Sequence, residues 1–254
     1  MTPTPLDALV AALVQARRSG RPVPAQPVPD AASAYAVQQR VADALGWFSE
    51  AQARAWKSGG PDRDAVLTHA ALMPAGVWRS PAHSGEFPFH LRLIEAEVAL
   101  RLGADVDAAL AARLDPAGAS ARVDALCVSI EVVDSRWSEG LAAPALAKLA
   151  DQQSHGALVL GDWIAFEARD WAAQTCRVRI GQAPERVFIG SHPLADPTFV
   201  LVPWMRHATR AGGTVRAGTV VTTGSWCGML EAQPGDTVHV AFDGIGEARL
   251  SLGA

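Results

Sequence analysis

The spacing of apolar positions changes along the chain. Over residues 5–18 they recur at helical intervals (Leu6, Leu9, Val10, Leu13, Val14). The stretch closes with Arg17, Arg18 and Gly20, a cationic last turn before a helix-stopping glycine. A proline-rich connector, RPVPAQPVPDA, leads to a second helical stripe, Ala34, Val37, Val41 and Leu45, within residues 31–48. Residues 57–90 are rich in Gly, Pro and Ser and hold little period, apart from a short helix candidate at AVLTHAALM. From about residue 87 a β-type pattern takes over in LRLIEAEVALRLG, DALCVSIEVVDSRW, GALVLGDWIAF, CRVRIG, ERVFIG, GTVVTTG, DTVHVAF and EARLSL. Two helix candidates interrupt these strands, PALAKLADQQ and DPTFVLVPWMRHATRAGG; the second opens on an Asp-Pro pair suited to a helix start. The predicted fold class is α+β, with a helical N-terminal region over 1–85 and a β-rich domain over 86–254.

One strand is anomalous. Within residues 91–102, Ile94, Ala96, Val98, Leu100 and Leu102 make one apolar face, while Glu95 and Glu97 share the other. Two carboxylates about 7 Å apart at the backbone repel each other, and burying them unpaired is costly. A bound divalent cation resolves both problems, and all-oxygen ligands point to a hard ion such as Mg²⁺ or Mn²⁺. The next strand, VSIEVVDSRW, offers Glu131 and Asp134, which face opposite ways on a regular strand. Glu131, between Ile130 and Val132, is the favoured third ligand, leaving Asp134 to bond Arg136 or a loop amide. Charge alternating along a half-exposed strand would leave the same glutamates facing water.

Composition narrows the function classes. Of 254 residues 49% are apolar, enough for a sizeable core, and 22 basic against 26 acidic residues leave a net charge of −4. That balance gives no electrostatic case for binding nucleic acid. Cys127, Cys176 and Cys227 are far apart and form no CxxC pair, which fits a reducing cytoplasm rather than a disulfide framework. The N-terminus has no basic segment before an apolar run, and no stretch nears the roughly 18 apolar residues of a membrane span. No GxGxxG follows a strand, and neither GxxxxGK[ST] nor GxSxG occurs.

IEAEVALRLG followed by SIEVVDSR resembles the fumarylacetoacetate hydrolase superfamily, within it the branch of 2-keto-4-pentenoate hydratases and 4-oxalocrotonate decarboxylases. AYAVQQ at 34–39, WKSGG at 56–60, DQQSHGALVLG at 151–161, GSHPLADP at 190–197 and VRAGTVVTTGSWCGMLEAQPGDTVHVAF at 215–242 agree with it in order along the chain. The resemblance implies a mixed β-roll holding one Mg²⁺ or Mn²⁺ on Glu95, Glu97 and Glu131, with Lys57 as the active-site lysine. It implies a homo-oligomeric lyase acting on a small 2-oxo or 2-hydroxydienoic acid, as in aromatic-compound degradation. C–C hydrolysis or decarboxylation on the same scaffold is the alternative, as is a catalytically weak metal-binding homologue.

The chain departs from that pattern at the substrate end. Relatives read K-I-G-L-T-S, whereas Lys57 is followed by Ser58, Gly59, Gly60, Pro61 and Asp62, whose charge would repel an acid. MPAGVW carries Ala75 where relatives have a carboxylate. His155 stands where relatives carry a small or amide residue, as a replacement acid–base group or a hydrogen-bonded structural histidine. Asp134, Thr223, Gly224 and Ser225 are the substrate-binding candidates; Trp137 and Trp226 fall near the expected site. Cys227 lies beside that loop, with nothing in sequence to activate its thiol.

Overall fold

A computed structural model describes residues 4–48 and 52–254; residues 1–3 and 49–51 of the expected N-terminal region lie outside that range. Helix α1 (Pro5–Ser19) starts at Thr4, which exchanges hydrogen bonds with Asp7 in a capping box, and stops at left-handed Gly20. Helix α2 (Ala31–Ala44) is capped by the Asp30 side chain. Their buried stripes, including Leu9, Leu13, Val37 and Val41, form a small core with Trp137 and Ala147. The connector between them is tied down as well: Val23 N donates to Arg136 O at 2.9 Å and Ser138 N to Val23 O at 2.8 Å.

Strands begin earlier than the sequence pattern indicates. β1 (Ala55–Gly59), β2 (Thr68–Ala71), β3 (Val77–Arg79) and β4 (Ala82–His83) all precede residue 86 and pair with strands that follow it or with one another. The helix expected at AVLTHAALM is therefore strand β2, zipped antiparallel onto β1 with Lys57 opposite Ala70. A short apolar run has no decisive period of its own, and pairing with β1 decides its conformation. β1 lies between β2 and a strand some 160 residues later, so the larger sheet draws strands from both sides of residue 86.

The remaining strands are β5 (Leu93–Leu102), β6 (Val106–Asp107), β7 (Val123–Val133), β8 (His155–Leu160), β9 (Ile164–Ala165), β10 (Thr175–Ile180), β11 (Arg186–Ile189), β12 (Thr214–Val215), β13 (Val220–Thr222), β14 (Leu230–Glu231), β15 (Thr237–Phe242) and β16 (Gly246–Ser251). Short helices α3 (Ala108–Arg113), α4 (Pro116–Ser120), α5 (Ala145–Ala150) and α6 (Leu201–Ala208) fill the connections. The larger, mixed sheet runs β2-β1-β13-β5-β7-β8-β3, and a second runs β11-β10-β15-β16-β4. β5 and β7 pair antiparallel at the centre of the larger sheet, and their apolar faces, Ile94, Val98, Leu100, Ile130 and Val132, join the main core with Val178, Val240 and Leu250 of the second. The other face of β5 and β7 is thereby left for the charged residues.

Trp137, expected near the site, belongs instead to the helical layer. Just beyond β7 the chain has left the sheet, and the indole is buried with its N–H donated to Ala147 O at 2.8 Å. Trp137→Ala should cost about 3–5 kcal/mol of stability by emptying this small core. Urea unfolding followed by circular dichroism measures it; a loss below about 1 kcal/mol would mean that the helices are not docked through this ring.

Candidate metal centre

Register brings the carboxylates together. On the central pair Glu95 lies directly opposite Glu131, and Glu97 opposite Ser129, so all four side chains stand on one face. One oxygen of each glutamate lies within 4.8 Å of the others. Glu97 and Glu131 are buried and Glu95 is half-buried, which leaves it as the side of the cluster nearest solvent. Asp134 is not among them. Its Oδ1 accepts the amides of His90 and Leu91, both at 2.9 Å, and so secures the segment entering β5.

Other elements supply the counterweights. Lys57 is no surface loop lysine: it sits on β1, and its Nζ donates to Glu131 Oε1 at 2.5 Å and Gln153 O at 3.3 Å. His155 Nδ1 lies 2.9 Å from the same Oε1. At the other end, Gly224 N donates to Glu97 Oε2 at 3.0 Å, and the Thr222 hydroxyl donates to that same oxygen. Gly224 has φ +115°, a conformation that favours glycine and turns its amide onto the carboxylate.

The remaining substrate-binding candidates are committed elsewhere. Thr223 is on the opposite face from Thr222, with its hydroxyl donated to Val98 O at 2.7 Å. Ser225 Oγ donates to Gly228 O at 2.7 Å within its own turn. Thr222 and Ser129, whose hydroxyls lie 3.0 Å apart, are further polar residues of the site; alternation from Glu131 places Ser129 on its face, whereas the face of Thr222 follows from where β13 ends. Trp226 packs behind β5, its backbone amide donated to Ala96 O at 2.8 Å and its ring against Trp171, His192 and Phe242. Cys227 is buried, and burial pushes its thiol upward, away from reactivity. Asp62 is exposed and accepts the amides of Asp64 and Ala65, both at 2.9 Å, so its charge is spent on its own loop.

His155 reaches Glu131 because of two backbone irregularities. The pairing of β7 with β8 shifts register between Val132 and Val133, so that His155, not Gly156, stands opposite Val133. A side chain at Gly156 would begin 2.7 Å from Val132 O, which explains the glycine there. Just before β8, Gln152, Gln153 and Ser154 have φ of +45°, +55° and +57°, one left-handed turn without glycine. Such residues cost roughly 1–2 kcal/mol each, and they persist where surrounding contacts over-determine them.

Electrostatics divides the three glutamates. Burial first, then Glu131 and Glu97, push Glu95 up to about 8; burial, then Glu131, pushes Glu97 up to about 7. Burial also opposes ionisation of Glu131, but Lys57 and His155 outweigh it and hold that carboxyl below its ordinary value. Burial lowers Lys57, yet the three carboxylates more than offset this and keep it cationic. His155 is lowered, chiefly by burial, and stays neutral. Since an ionised Glu131 can only accept, Nδ1 carries the proton and Nε2 is a bare lone pair. Among the described residues, that Nε2 is buried without a partner, as is Glu131 Oε2. Unsatisfied acceptors beside three crowded carboxylates fit a hard divalent cation with bound oxygen ligands, held by Glu95, Glu97 and Glu131.

The fumarylacetoacetate (FAA) hydrolase C-terminal family matches residues 52–252. A 2-keto-4-pentenoate hydratase of Paraburkholderia xenovorans (strain LB400) is 28% identical over 165 residues, which is 63% of this chain and 58% of that relative. 2-Keto-4-pentenoate hydratase 1 of Dechloromonas aromatica (strain RCB) is 30% identical over 155 residues, 60% of this chain and 57% of its own. The match thus spans less than two thirds of these relatives. Among solved structures, 4-oxalocrotonate decarboxylase from Pseudomonas putida G7, complexed with magnesium and adipate, has the same fold, with TM-score 0.82, 18% identity and 96% of both chains covered. 2-Hydroxyhepta-2,4-diene-1,7-dioate isomerase from Mycobacterium marinum aligns at TM-score 0.59 and 16% identity over 80% of this chain and 75% of that one.

The raised carboxyls set the pH dependence of the metal-free protein. Glu95 and Glu97 bind protons more tightly when folded than in the unfolded chain, where a glutamate titrates near about 4.3. Their stabilising contribution is complete below that pH and is lost as pH rises through about 7 and about 8. Glu131, held low, acts oppositely, and its contribution fades only in acid. With chelator present, the melting temperature should therefore fall between about pH 5 and pH 9, and Glu95→Gln should flatten the fall. Thermal melts across that range decide; a melting temperature that is level or rises would contradict the buried cluster.

Proposed function

The chain belongs to the fumarylacetoacetate hydrolase C-terminal family, and from that premise we propose a divalent-metal-dependent hydro-lyase acting on a small 2-oxo or 2-hydroxydienoic acid. The observation that carries this reading is the convergence of three carboxylates, Lys57 and His155 on one buried face of the sheet. Glu95, Glu97 and Glu131 would hold Mg²⁺ or Mn²⁺, which when bound supplies Lewis-acid stabilisation of an enolate formed from a 2-oxo acid. The names of the related hydratases, and the magnesium and calcium in two structures of the same fold, support that choice.

The chain's own groups do the rest. Lys57 Nζ is a fixed cation at the edge of the cluster, suited to orient the carboxylate of the acid. Hydration adds a proton and a hydroxyl across a C=C bond and needs a group that carries the proton. His155 Nε2 has that role: its partner nitrogen is oriented by Glu131, and its own lone pair is free. Gly224 N and Thr222 steady Glu97 against rotation. The catalytic unit in this reading is a mixed β-roll that starts at β1, with the helical layer packed on its side. Assembly into a homo-oligomer belongs to the same proposal, supported by exposed Val187 and Ile189 on edge strand β11. So does a cytoplasmic setting, which suits three unpaired, buried cysteines. Ala75 favours the second reading, a metal-holding homologue without turnover: it lies in a single helical turn whose carbonyl only accepts the Trp78 indole, so no acid group stands there.

Two substitutions separate these readings. Glu95→Gln with Glu97→Gln should weaken Mn²⁺ binding by more than about 100-fold, beyond what loss of an outer partner costs. Lys57→Met should keep the metal but lose turnover of 2-oxo acids by about 10²-fold or more. Calorimetric titration with Mn²⁺ and a screen of 2-oxo and 2-hydroxydienoic acids measure both. Metal bound by wild type with no turnover of any acid would select the second reading; no metal bound would sink both.

A further inference from the structure

We propose that Arg17, on helix α1, is a positioning residue for His155: it clamps the left-handed turn that aims the imidazole at Glu131. Arg17 lies outside the residues matched to the family, which begin at 52. Its guanidinium is nearly buried and reaches out of the last turn of α1 to the segment just before His155. Nη2 donates to Asp151 Oδ1 at 3.1 Å and to Gln152 Oε1 at 2.5 Å. Arg136 closes on the same carboxylate from the other side, its N and Nε donating to Asp151 at 2.7–3.0 Å. Asp151 is thus held by two guanidiniums with no exposed surface of its own.

The turn that follows needs such a clamp. Gln152, Gln153 and Ser154 are L-residues in a conformation they avoid, and their local bonds, Ser154 N to Asp151 O at 2.9 Å and His155 N to Gln152 O, would form equally well in a right-handed turn. Side chains must therefore choose the hand. Arg17 grips the first residue of the turn, and Gln153 Nε2 donates to Thr68 Oγ1 in its middle. Gln153 O then faces Lys57 Nζ, Ser154 O accepts Asp134 N at 2.8 Å, and His155 enters β8 on the face of Glu131. A right-handed turn would send the Gln153 carbonyl and the His155 ring to other sides. The alternative is that Arg17 only anchors α1, in which case its loss would lower stability without moving His155.

The test uses the full chain loaded with Mg²⁺, comparing wild type, Arg17→Met, Arg17→Lys and Gln152→Leu, the last removing one bond of the clamp from the turn's side. The readout is the imidazole Nδ1–H resonance of His155, assigned by its loss in His155→Gln, with hydrogen exchange of the amides of residues 152–156. Arg17→Met should abolish or shift the resonance and speed exchange there by about tenfold or more. Gln152→Leu should do so more weakly, and Arg17→Lys should restore part of the signal. The kinetic arm rests on the proposed hydro-lyase reading: kcat should fall at least about tenfold while KM stays within about threefold. Unchanged resonance and local exchange, with only a lower melting temperature, would overturn the clamp. Should Arg17→Met fail to fold, Gln152→Leu decides by the same readout. Absence of turnover in wild type would count against the hydro-lyase, while the resonance and exchange measurements would still decide the role of Arg17.

Discussion

Everything at this site follows from three carboxylates being set on one buried face of a sheet. In water such charges are cheap; between packed strands their repulsion and lost hydration are both large. The antiparallel register of β5 and β7, with Glu95 opposite Glu131, is fixed by their apolar back faces, which a one-residue slip would turn out of the core. The hydrophobic effect thus enforces an arrangement that electrostatics opposes. What surrounds the glutamates is the compensation.

That compensation comes from segments distant in sequence. Lys57 arrives on β1, Thr222 and Gly224 at the end of β13, and His155 through a bulge at the start of β8. Each acts on a different carboxylate oxygen or shares one, and together they leave Glu131 ionised while Glu95 and Glu97 stay reluctant to ionise. The unequal treatment matters chemically. A single committed anion gives Lys57 and His155 a fixed partner, and the two reluctant groups are those that a divalent ion would recruit by displacing protons.

The sequence disclosed the parts that have a local period. β5 and β7 keep one register from Leu93 opposite Val133 to Arg101 opposite Ala125; parity separates Glu131 from Asp134, and the apolar neighbours Ile130 and Val132 favour Glu131. Helices α1 and α2 are legible from their stripes and caps. What stayed hidden depends on partners far along the chain. β1 to β4 are two to five residues long and owe their conformation to non-local pairing, such as Ala55 with Val220, so they leave no period to read. Thr222 rather than Thr223 faces the cluster, and that parity cannot be counted until the end of β13 is known. The register shift at His155 reverses parity outright, which no alternation rule anticipates.

Two side chains of the segment after Lys57 stand apart from the glutamates in the folded chain. Ser58, the first hydroxyl after the lysine, points to the opposite face of β1 and lies 2.8 Å from His69 Nδ1, away from the glutamates. Asp62, exposed and bonded to the amides of Asp64 and Ala65, stands where relatives carry a hydroxyl. The cluster's own charges weigh more: three glutamates and one lysine leave a formal balance of −2 when all are ionised. A second lysine would bring that balance only to −1 and would leave no site at which an incoming acid could chelate. Protons on Glu95 and Glu97 neutralise it, but only by surrendering the anionic oxygens. A dication restores balance while keeping all three carboxylates as ligands and still presents open positions to an acid, which is why the geometry makes most sense around a metal.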